Sequence, residues 1–347
     1  MLRQLRQLRL PDRPFRTSVA ADGRRFVVCS PGGHCRLFDD DLRQLDEIKL
    51  AAAVTWLQLN DTGTLLLVGF PNHIDGYATS PDLARFLRIP VAGTSGDSCV
   101  FKSDENVLCV ASWDRKPLIA AWDLTSFKVI AERPLPPRGG AGYMLVRHPE
   151  GEAMAAVAFS GQSEEWMFWT HYAHGRLRVF DQPEIEDVAL PHFHPTGGEF
   201  VSYHDRLGLC RATFPTGDVI ASVQPEEAFP DNPEDGFSYG VHFSRDDRLL
   251  VWQQNLALYE LDFMTLRPVR AVLRGAEGMI YGKDRFFSEE SWRLAGGRLL
   301  TSDSWHDAKF RSRTDTLRLW DASALFGHLS APDPACPHTK QLLATGD

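Results

Sequence analysis

Three features of the sequence predict an all-β fold. Apolar and polar residues alternate over short runs, which is the two-residue period of a β-strand. Glycine, proline, asparagine and aspartate, which favour turns, separate these runs. The pattern of alternating run, tight polar turn and short apolar run occurs seven times, with turns at Gly23, Gly63, Glu105, Gly151, Gly197, Asp247 and Gly297.

The spacing of the repeats predicts the architecture. Six intervals separate Gly23 from Gly297, a period of about 46 residues that suits one four-stranded antiparallel sheet and exceeds an ankyrin or tetratricopeptide repeat. We therefore expect a single seven-bladed β-propeller of four-stranded antiparallel blades over residues 1–327. Residues 328–347 are proline-rich and predict an extended C-terminal tail.

The N-terminal segment predicts how the propeller closes. Residues 6–11 (RQLRLP) match residues 85–90 (RFLRIP), which lie where the second blade should have its fourth strand. The first segment has no blade of its own, and propellers avoid loose edges by completing the last blade with a strand from the other terminus. We expect residues 1–11 to supply the closing strand of the seventh blade, although a chance match of short Arg/Leu segments is the alternative.

A second landmark follows each turn: an apolar strand that ends in an aromatic residue and often an aspartate. The instances end at Phe38-Asp39, Trp122-Asp123, Phe180-Asp181 and Trp320-Asp321, with looser copies at Tyr259-Glu260, Tyr77 and Cys210. Over residues 15–325 this pattern resembles the WD-repeat family, whose third strand closes with Trp-Asp. The family's Gly-His dipeptide before the first strand is missing from every blade, so the histidine hydrogen-bond network of the family does not transfer. The resemblance implies a divergent, bacterial-type WD-like propeller.

Composition restricts the class of protein. The formal net charge of −9 argues against a nucleic-acid binder, which usually has a basic surface. The start of the chain lacks the apolar run of a signal peptide, and no stretch of about 18 apolar residues predicts a membrane span. We expect a cytoplasmic protein without membrane contact.

The six cysteines follow no zinc-binding or Cys-x-x-Cys spacing. Five lie in apolar, strand-like stretches, which is typical of buried reduced thiols. Cys29 and Cys35 could face each other across a hairpin, so one disulfide is conceivable.

Long intervals in the repeat predict where a partner binds. Residues 160–175 and 304–313 lengthen the loops between the second and third strands of blades four and seven. Residues 225–236 and 275–291 lengthen links between blades, which lie on the same face of a propeller. Aromatic and arginine side chains in long loops can dominate binding energy. The predicted partner-binding residues are Trp113, Arg115, Trp166, Trp169, Tyr172, Trp305 and His306. Alternatively, residues 166–172 extend the second and third strands of blade four, and their aromatic rings pack between blades.

The sequence contains no local catalytic motif: G-x-S-x-G, phosphate-loop and dinucleotide-binding patterns are missing. Histidine pairs occur at His171 and His174 and at His192 and His194, but His194 precedes a repeat turn as His148 does. We therefore expect no metal and no cofactor.

The leading hypothesis is a non-catalytic interaction scaffold that presents loops to an unidentified protein partner. Two alternatives remain open. One is a propeller hydrolase or lactonase-like enzyme with polar residues converging from several blades. The other is a module that senses a small ligand or a metal.

Overall fold

The computed structural model describes most of the chain and shows an all-β protein. The described residues are 2–11, 16–30, 32–50, 54–80, 82–91, 99–101, 107–112, 117–135, 140–149, 153–160, 165–173, 175–186, 191–204, 206–228, 237–243, 248–253, 257–274, 291–306 and 312–326. The predicted tail, residues 328–347, lies outside them. No helix of the described residues is long and apolar enough to cross a membrane.

The described strands are short and follow one another along the whole chain. The first are β1 (Arg3–Arg9), β2 (Arg16–Val19), β3 (Arg25–Cys29), β4 (His34–Asp39), β5 (Gln44–Lys49), β6 (Trp56–Leu59), β7 (Leu65–Phe70), β8 (His73–Ala78), β9 (Ala84–Ile89), β10 (Cys99–Phe101), β11 (Val107–Ser112), β12 (Leu118–Asp123), β13 (Lys128–Pro134) and β14 (Gly140–Arg147). The remainder are β15 (Ala153–Ser160), β16 (Glu165–Ala173), β17 (Arg176–Glu186), β18 (His192–Phe193), β19 (Glu199–His204), β20 (Gly208–Thr213), β21 (Val219–Val223), β22 (Phe237–Phe243), β23 (Arg248–Gln253), β24 (Ala257–Asp262), β25 (Pro268–Arg274), β26 (Ser291–Leu294), β27 (Arg298–His306) and β28 (Ser312–Asp321). The helices are α1 (Pro225–Ala228), α2 (Ser323–Phe326) and a 3-10 turn, Ala295–Gly297.

One compact unit comprises residues 1–53 and 222–331. Its described strands form three four-stranded antiparallel sheets, ordered β2-β3-β4-β5, β22-β23-β24-β25 and β26-β27-β28-β1. In the last sheet β1 pairs with β28, from Arg3 opposite Asp321 to Arg9 opposite Thr316. The N-terminal strand thus supplies the fourth strand of the last sheet, the pairing that the sequence predicts.

The second unit comprises the described residues between 54 and 221. Its described strands form four more four-stranded antiparallel sheets, ordered β6-β7-β8-β9, β10-β11-β12-β13, β14-β15-β16-β17 and β18-β19-β20-β21. Apart from β1 in the last sheet, the strands of each sheet pair in chain order as an antiparallel meander, the arrangement of a propeller blade.

The predicted glycines shape the turns between the first and second strands. Gly23, Gly63 and Gly197 adopt positive φ angles of 68°, 67° and 76°. Each donates its N–H to the carbonyl three residues earlier, over 2.8 Å, 3.0 Å and 2.8 Å. A Cβ at Gly23 would lie 2.4 Å from the backbone nitrogen of Ala295, so this glycine also permits a close approach between two sheets of its unit. The repeated glycine is therefore a conformational requirement of the hairpin.

The repeated aspartate caps the turn between the third and fourth strands. Asp39, Asp123 and Asp262 accept hydrogen bonds from backbone N–H groups two or three residues later, over 2.8–2.9 Å. Leu42, Phe127 and Leu266 complete these turns at positive φ angles of 63°, 58° and 58°. The carboxylate thus accepts hydrogen bonds from backbone N–H groups that the strand pairing does not use, as in an Asx turn.

The core of each unit lies between neighbouring sheets. In the first unit, Phe26 and Phe38 of one sheet stack at 5.1 Å and pack against Leu294, Leu317 and Leu319 of another. In the second unit, apolar clusters join each sheet to the next along the chain. Burial on both faces accounts for the near-continuous apolar runs of the second and third strands.

The third-strand landmark is displaced in three sheets. In the sheet of β14 to β17, Val179-Phe180-Asp181 lies in the fourth strand, and Thr170 and His171 hold the places of the aromatic residue and the aspartate. In the other two sheets, the equivalent pairs are Ala212-Thr213 and Leu261-Asp262. The sequence prediction is wrong there because Thr170, Ala212 and Leu261 replace the aromatic residue. The predicted landmark therefore falls on a nearby residue, which is Phe180, Cys210 or Tyr259.

Candidate functional site

The structure describes the predicted partner-binding residues unevenly. Trp113 and Arg115 lie outside the described residues. Trp166 belongs to β16, opposite Ala158 and Glu186, while Trp305 and His306 end β27. Only the backbones of these three residues are described, so the prediction that they bind a partner stays a prediction.

Trp169 and Tyr172 lie in the core and not on a surface. Trp169 is 0% exposed, and its indole Nε1 donates a hydrogen bond of 2.6 Å to the carbonyl oxygen of Pro215. Its ring contacts Phe193, Phe200 and Phe214 at centroid distances of 4.8–5.9 Å. Tyr172 is 5% exposed and packs in the cluster between the third and fourth sheets. Both side chains are therefore core residues and do not belong to a partner-binding surface.

The reason is that the described part of the 160–175 interval is a strand and not an inserted loop. Residues 165–173 form β16, the third strand of its sheet, paired with β15 on one side and β17 on the other. In the second interval, the described residues 304–306 and 312–313 belong to β27 and β28, whose pairing reaches His306 opposite Ser312. The alternative of longer strands therefore describes the fourth sheet.

The histidines of the repeat turns are structural. His148 is fully buried, and its Nε2 lies 2.9 Å from the carbonyl oxygen of Gly197. His194 Nδ1 lies 2.8 Å from the Thr196 hydroxyl within its own turn. His171 is buried in β16, and His174 lies outside the described residues. In the described part of the chain, no three His, Cys, Asp or Glu side chains gather as metal ligands.

A surface feature that the sequence analysis missed lies on the fourth strands. In five sheets the fourth strand carries a β-bulge, at which a residue has no partner on the third strand. The bulged residues whose burial is described are all apolar and all exposed: Leu5, Leu45, Phe86, Ile130 and Val269. A second bulged residue of β25 is Val272. An inserted residue interrupts the alternation of side chains between the two faces of a strand. A continuous apolar run such as Val129-Ile130 therefore gives no sign in the sequence that its side chains are exposed.

The bulges also correct the match between residues 6–11 and 85–90. Leu5 and Phe86 hold the same position in their sheets, whereas the sequence match places Gln7 opposite Phe86. The two segments are therefore equivalent after a shift of two residues. Both segments are nevertheless fourth strands.

One exposed apolar group of the described residues joins the second and third sheets, within one unit. Phe86 of β9 and Phe127 of the turn before β13 are 46% and 44% exposed, with ring centroids 6.2 Å apart. Val129 and Ile130 follow Phe127 on β13 and are exposed as well. We call these four residues the Phe86–Phe127 patch.

Two backbone features position its rings. Phe86 is the bulged residue of β9, and its ring lies over Gly76, where a Cβ would come within 3.3 Å of the Phe86 Cζ atom. Phe127 has a φ of 58° and donates its N–H to the carbonyl oxygen of Asp123 over 2.8 Å. A bulky residue in the left-handed region is unusual and costs about 1–2 kcal/mol, so the third sheet retains strain where this ring is displayed.

Charged groups lie beside the patch on the second sheet. Arg88 binds the buried carboxylate of Asp75 through two hydrogen bonds of 2.7 Å and 2.8 Å, and Arg85 lies 3.5 Å from it. Burial raises the pKa of Asp75, but the Arg88 hydrogen bonds and the positive charges around it outweigh burial and hold that pKa below its ordinary value. Burial and the charge of Arg88 lower the pKa of His73 beside them. Both guanidinium groups are thereby anchored while about half of each side chain stays exposed.

Comparison with known proteins adds no assignment: no protein-family model matches the chain, and no curated protein matches its sequence.

Proposed function

We propose that the chain is a single seven-bladed β-propeller of the divergent WD-like type and a non-catalytic protein-binding module. Seven described four-stranded sheets, the last completed by the N-terminal strand, support a closed ring. A closed ring would leave no unpaired sheet end and would hold the surface turns rigidly.

The exposed aromatic pair of Phe86 and Phe127 carries this proposal. Aromatic rings held by backbone geometry lose little conformational freedom on binding, and aromatic and arginine side chains dominate the energy of many interfaces. The pair is fixed by a bulge on one sheet and a left-handed turn on the next. It is therefore a preformed apolar anchor site.

The charges beside the patch indicate the chemistry of the partner. Arg85, Arg88 and Lys128 are exposed or half-exposed, and Asp75 is the carboxylate that the two arginines share. The partner is a protein segment with an aromatic or aliphatic anchor flanked by aspartate or glutamate. The anchor packs on Phe86 and Phe127, and the acidic residues pair with the cations beside them.

Affinity capture with matched variants tests this function. Wild type, the double variant Phe86→Ser/Phe127→Ser, and Leu45→Ser are each used as bait in native lysate. Leu45 is the bulged residue of another sheet and is 49% exposed, so it controls for loss of an exposed apolar side chain.

The proposal expects a protein that wild type and Leu45→Ser retain and that the double variant loses at least tenfold. Lys128→Glu should weaken the same protein, because it inverts a charge beside the anchor. Equal capture by all baits, or none by wild type, contradicts the proposed function.

The remaining residues that the sequence predicts for partner binding are a second set of candidates within the same function: Trp113, Arg115, Trp166, Trp305 and His306. A Trp305→Ala bait distinguishes Trp305 from the Phe86–Phe127 patch: loss of the partner with Trp305→Ala but not with the Phe86/Phe127 variant would move the binding site to the end of β27.

A further inference from the structure

Two cysteines face each other across the hairpin of β3 and β4. Cys29 and Cys35 are direct partners in the strand register, both are 0% exposed, and both are reduced. The neighbouring Cys29 thiol, together with burial, raises the pKa of Cys35.

The position of the pair in the ladder suits a covalent bond. Ser30 N–H donates to the carbonyl oxygen of His34 over 2.9 Å, which makes Ser30 and His34 a hydrogen-bonded pair. The adjacent cysteine pair is then of the non-hydrogen-bonded kind, whose Cα atoms lie about 4.5 Å apart. A disulfide spans Cα distances of about 4.4–6.8 Å, so the bond can form without moving the strands apart.

We propose that Cys29 and Cys35 are a modification site that forms a reversible intramolecular disulfide by exchange with a small-molecule disulfide. One cysteine, as its thiolate, attacks a sulfur of the oxidant, which forms a mixed disulfide and releases one thiolate. The second cysteine then attacks the protein sulfur of the mixed disulfide, forms the Cys29–Cys35 bond and releases the second thiolate. The two thiol protons pass to the two released thiolates, so the pair is oxidised by two electrons and the oxidant is reduced to two thiols.

Burial determines how fast this exchange proceeds. Both thiols are buried, so the oxidant reaches the sulfurs only when the structure around them opens. The nearest described turn residues are Gly32 and Gly33, at the end of the hairpin. Hydrogen bonds from Leu50 N–H to the Gly33 carbonyl and from Lys49 to the Gly32 carbonyl hold it closed. Oxidation of the native protein should therefore be slower than that of the unfolded chain and should reach a limiting rate as the oxidant concentration rises.

The tryptic map makes the test direct, because residues 26–36 form one peptide that contains both cysteines and no other. The native full-length protein is incubated with oxidised glutathione, quenched with acid, unfolded, alkylated with N-ethylmaleimide and digested. The expected peptide has lost two hydrogen atoms and carries no maleimide. Dithiothreitol before alkylation should restore two maleimides.

Cys99 and Cys109 provide a control within the same molecule. They are equally buried but belong to different apolar clusters on opposite faces of their sheet, and they fall in separate tryptic peptides. Their peptides should remain fully alkylated, and Cys35→Ser should abolish the loss of two hydrogens. The proposal is overturned if the 26–36 peptide of the native protein keeps two maleimides, or gains only a glutathione adduct, while the unfolded chain forms the bond.

Discussion

Replacement of Gly197 by alanine tests the geometry of the repeat turns with a calculable cost. The residue has a φ of 76°, and an added Cβ would lie 2.5 Å from Cε1 and 2.6 Å from Nε2 of His148. That ring cannot retreat easily, because Phe214 stacks on it at 4.5 Å and Phe193 contacts its edge at 4.9 Å.

Two terms give the magnitude. A left-handed alanine costs about 1–2 kcal/mol, and overpacking in a filled core costs about 1–3 kcal/mol. Gly197→Ala should therefore lower the free energy of unfolding by about 2–5 kcal/mol. Gly175 has nearly the same φ, 75°, but a Cβ there meets no described atom within 4 Å. Gly175→Ala should cost only the first term.

Urea denaturation followed by circular dichroism measures both variants. In the background of His148→Ala, the cost of Gly197→Ala should fall to that of Gly175→Ala, because the atoms that it meets are gone. Equal losses for the two glycine variants in the wild-type background would refute the close contact with His148.

Two further predictions concern the core and the charged cluster. Trp169→Ala should destabilise the protein by about 3–5 kcal/mol in urea denaturation, because it removes a buried ring and the indole hydrogen bond to the Pro215 carbonyl. A loss below about 0.5 kcal/mol is typical of surface residues and would contradict the burial of Trp169. Asp75→Asn should be less stable than wild type at pH 7, because the depressed pKa of this carboxyl means that its ionised form stabilises the folded state. That advantage is complete above the unfolded pKa of about 3.9 and is lost as the pH falls through the lower folded pKa. The difference in urea midpoint between wild type and Asp75→Asn should therefore shrink at low pH. A difference that stays constant from pH 7 to pH 2.5 would contradict the role of Arg88 and Arg85.

The repeat was predictable from sequence where the backbone demands a particular residue. Gly23, Gly63 and Gly197 stand out because a left-handed turn excludes most side chains, and Asp39 and Asp123 because their carboxylates cap turns. In the fourth sheet the aspartate signal disappears, since Thr170 and His171 replace the aromatic residue and the aspartate. The sequence therefore predicts a loop where β16 lies and places Trp169 on the surface.

The Phe86–Phe127 patch had no comparable signal. Phe86 is exposed because a bulge leaves it without a cross-strand partner, and a bulge arises from pairing with another strand. Phe127 is exposed because an ordinary apolar residue occupies a left-handed turn position, where Leu266 of another sheet is fully buried. Neither property can be read from the residue types, because both depend on three-dimensional neighbours.

Site-specific photo-crosslinking tests the central claim most directly. p-Benzoylphenylalanine is introduced in place of Phe127, and in a separate protein in place of Leu45, and each is irradiated in native lysate. The account predicts one dominant crosslinked protein from position 127, the same protein that Phe86→Ser/Phe127→Ser fails to capture, and none of it from position 45. The same adducts from both positions, or none from position 127, would show that the Phe86–Phe127 patch is not where a partner binds.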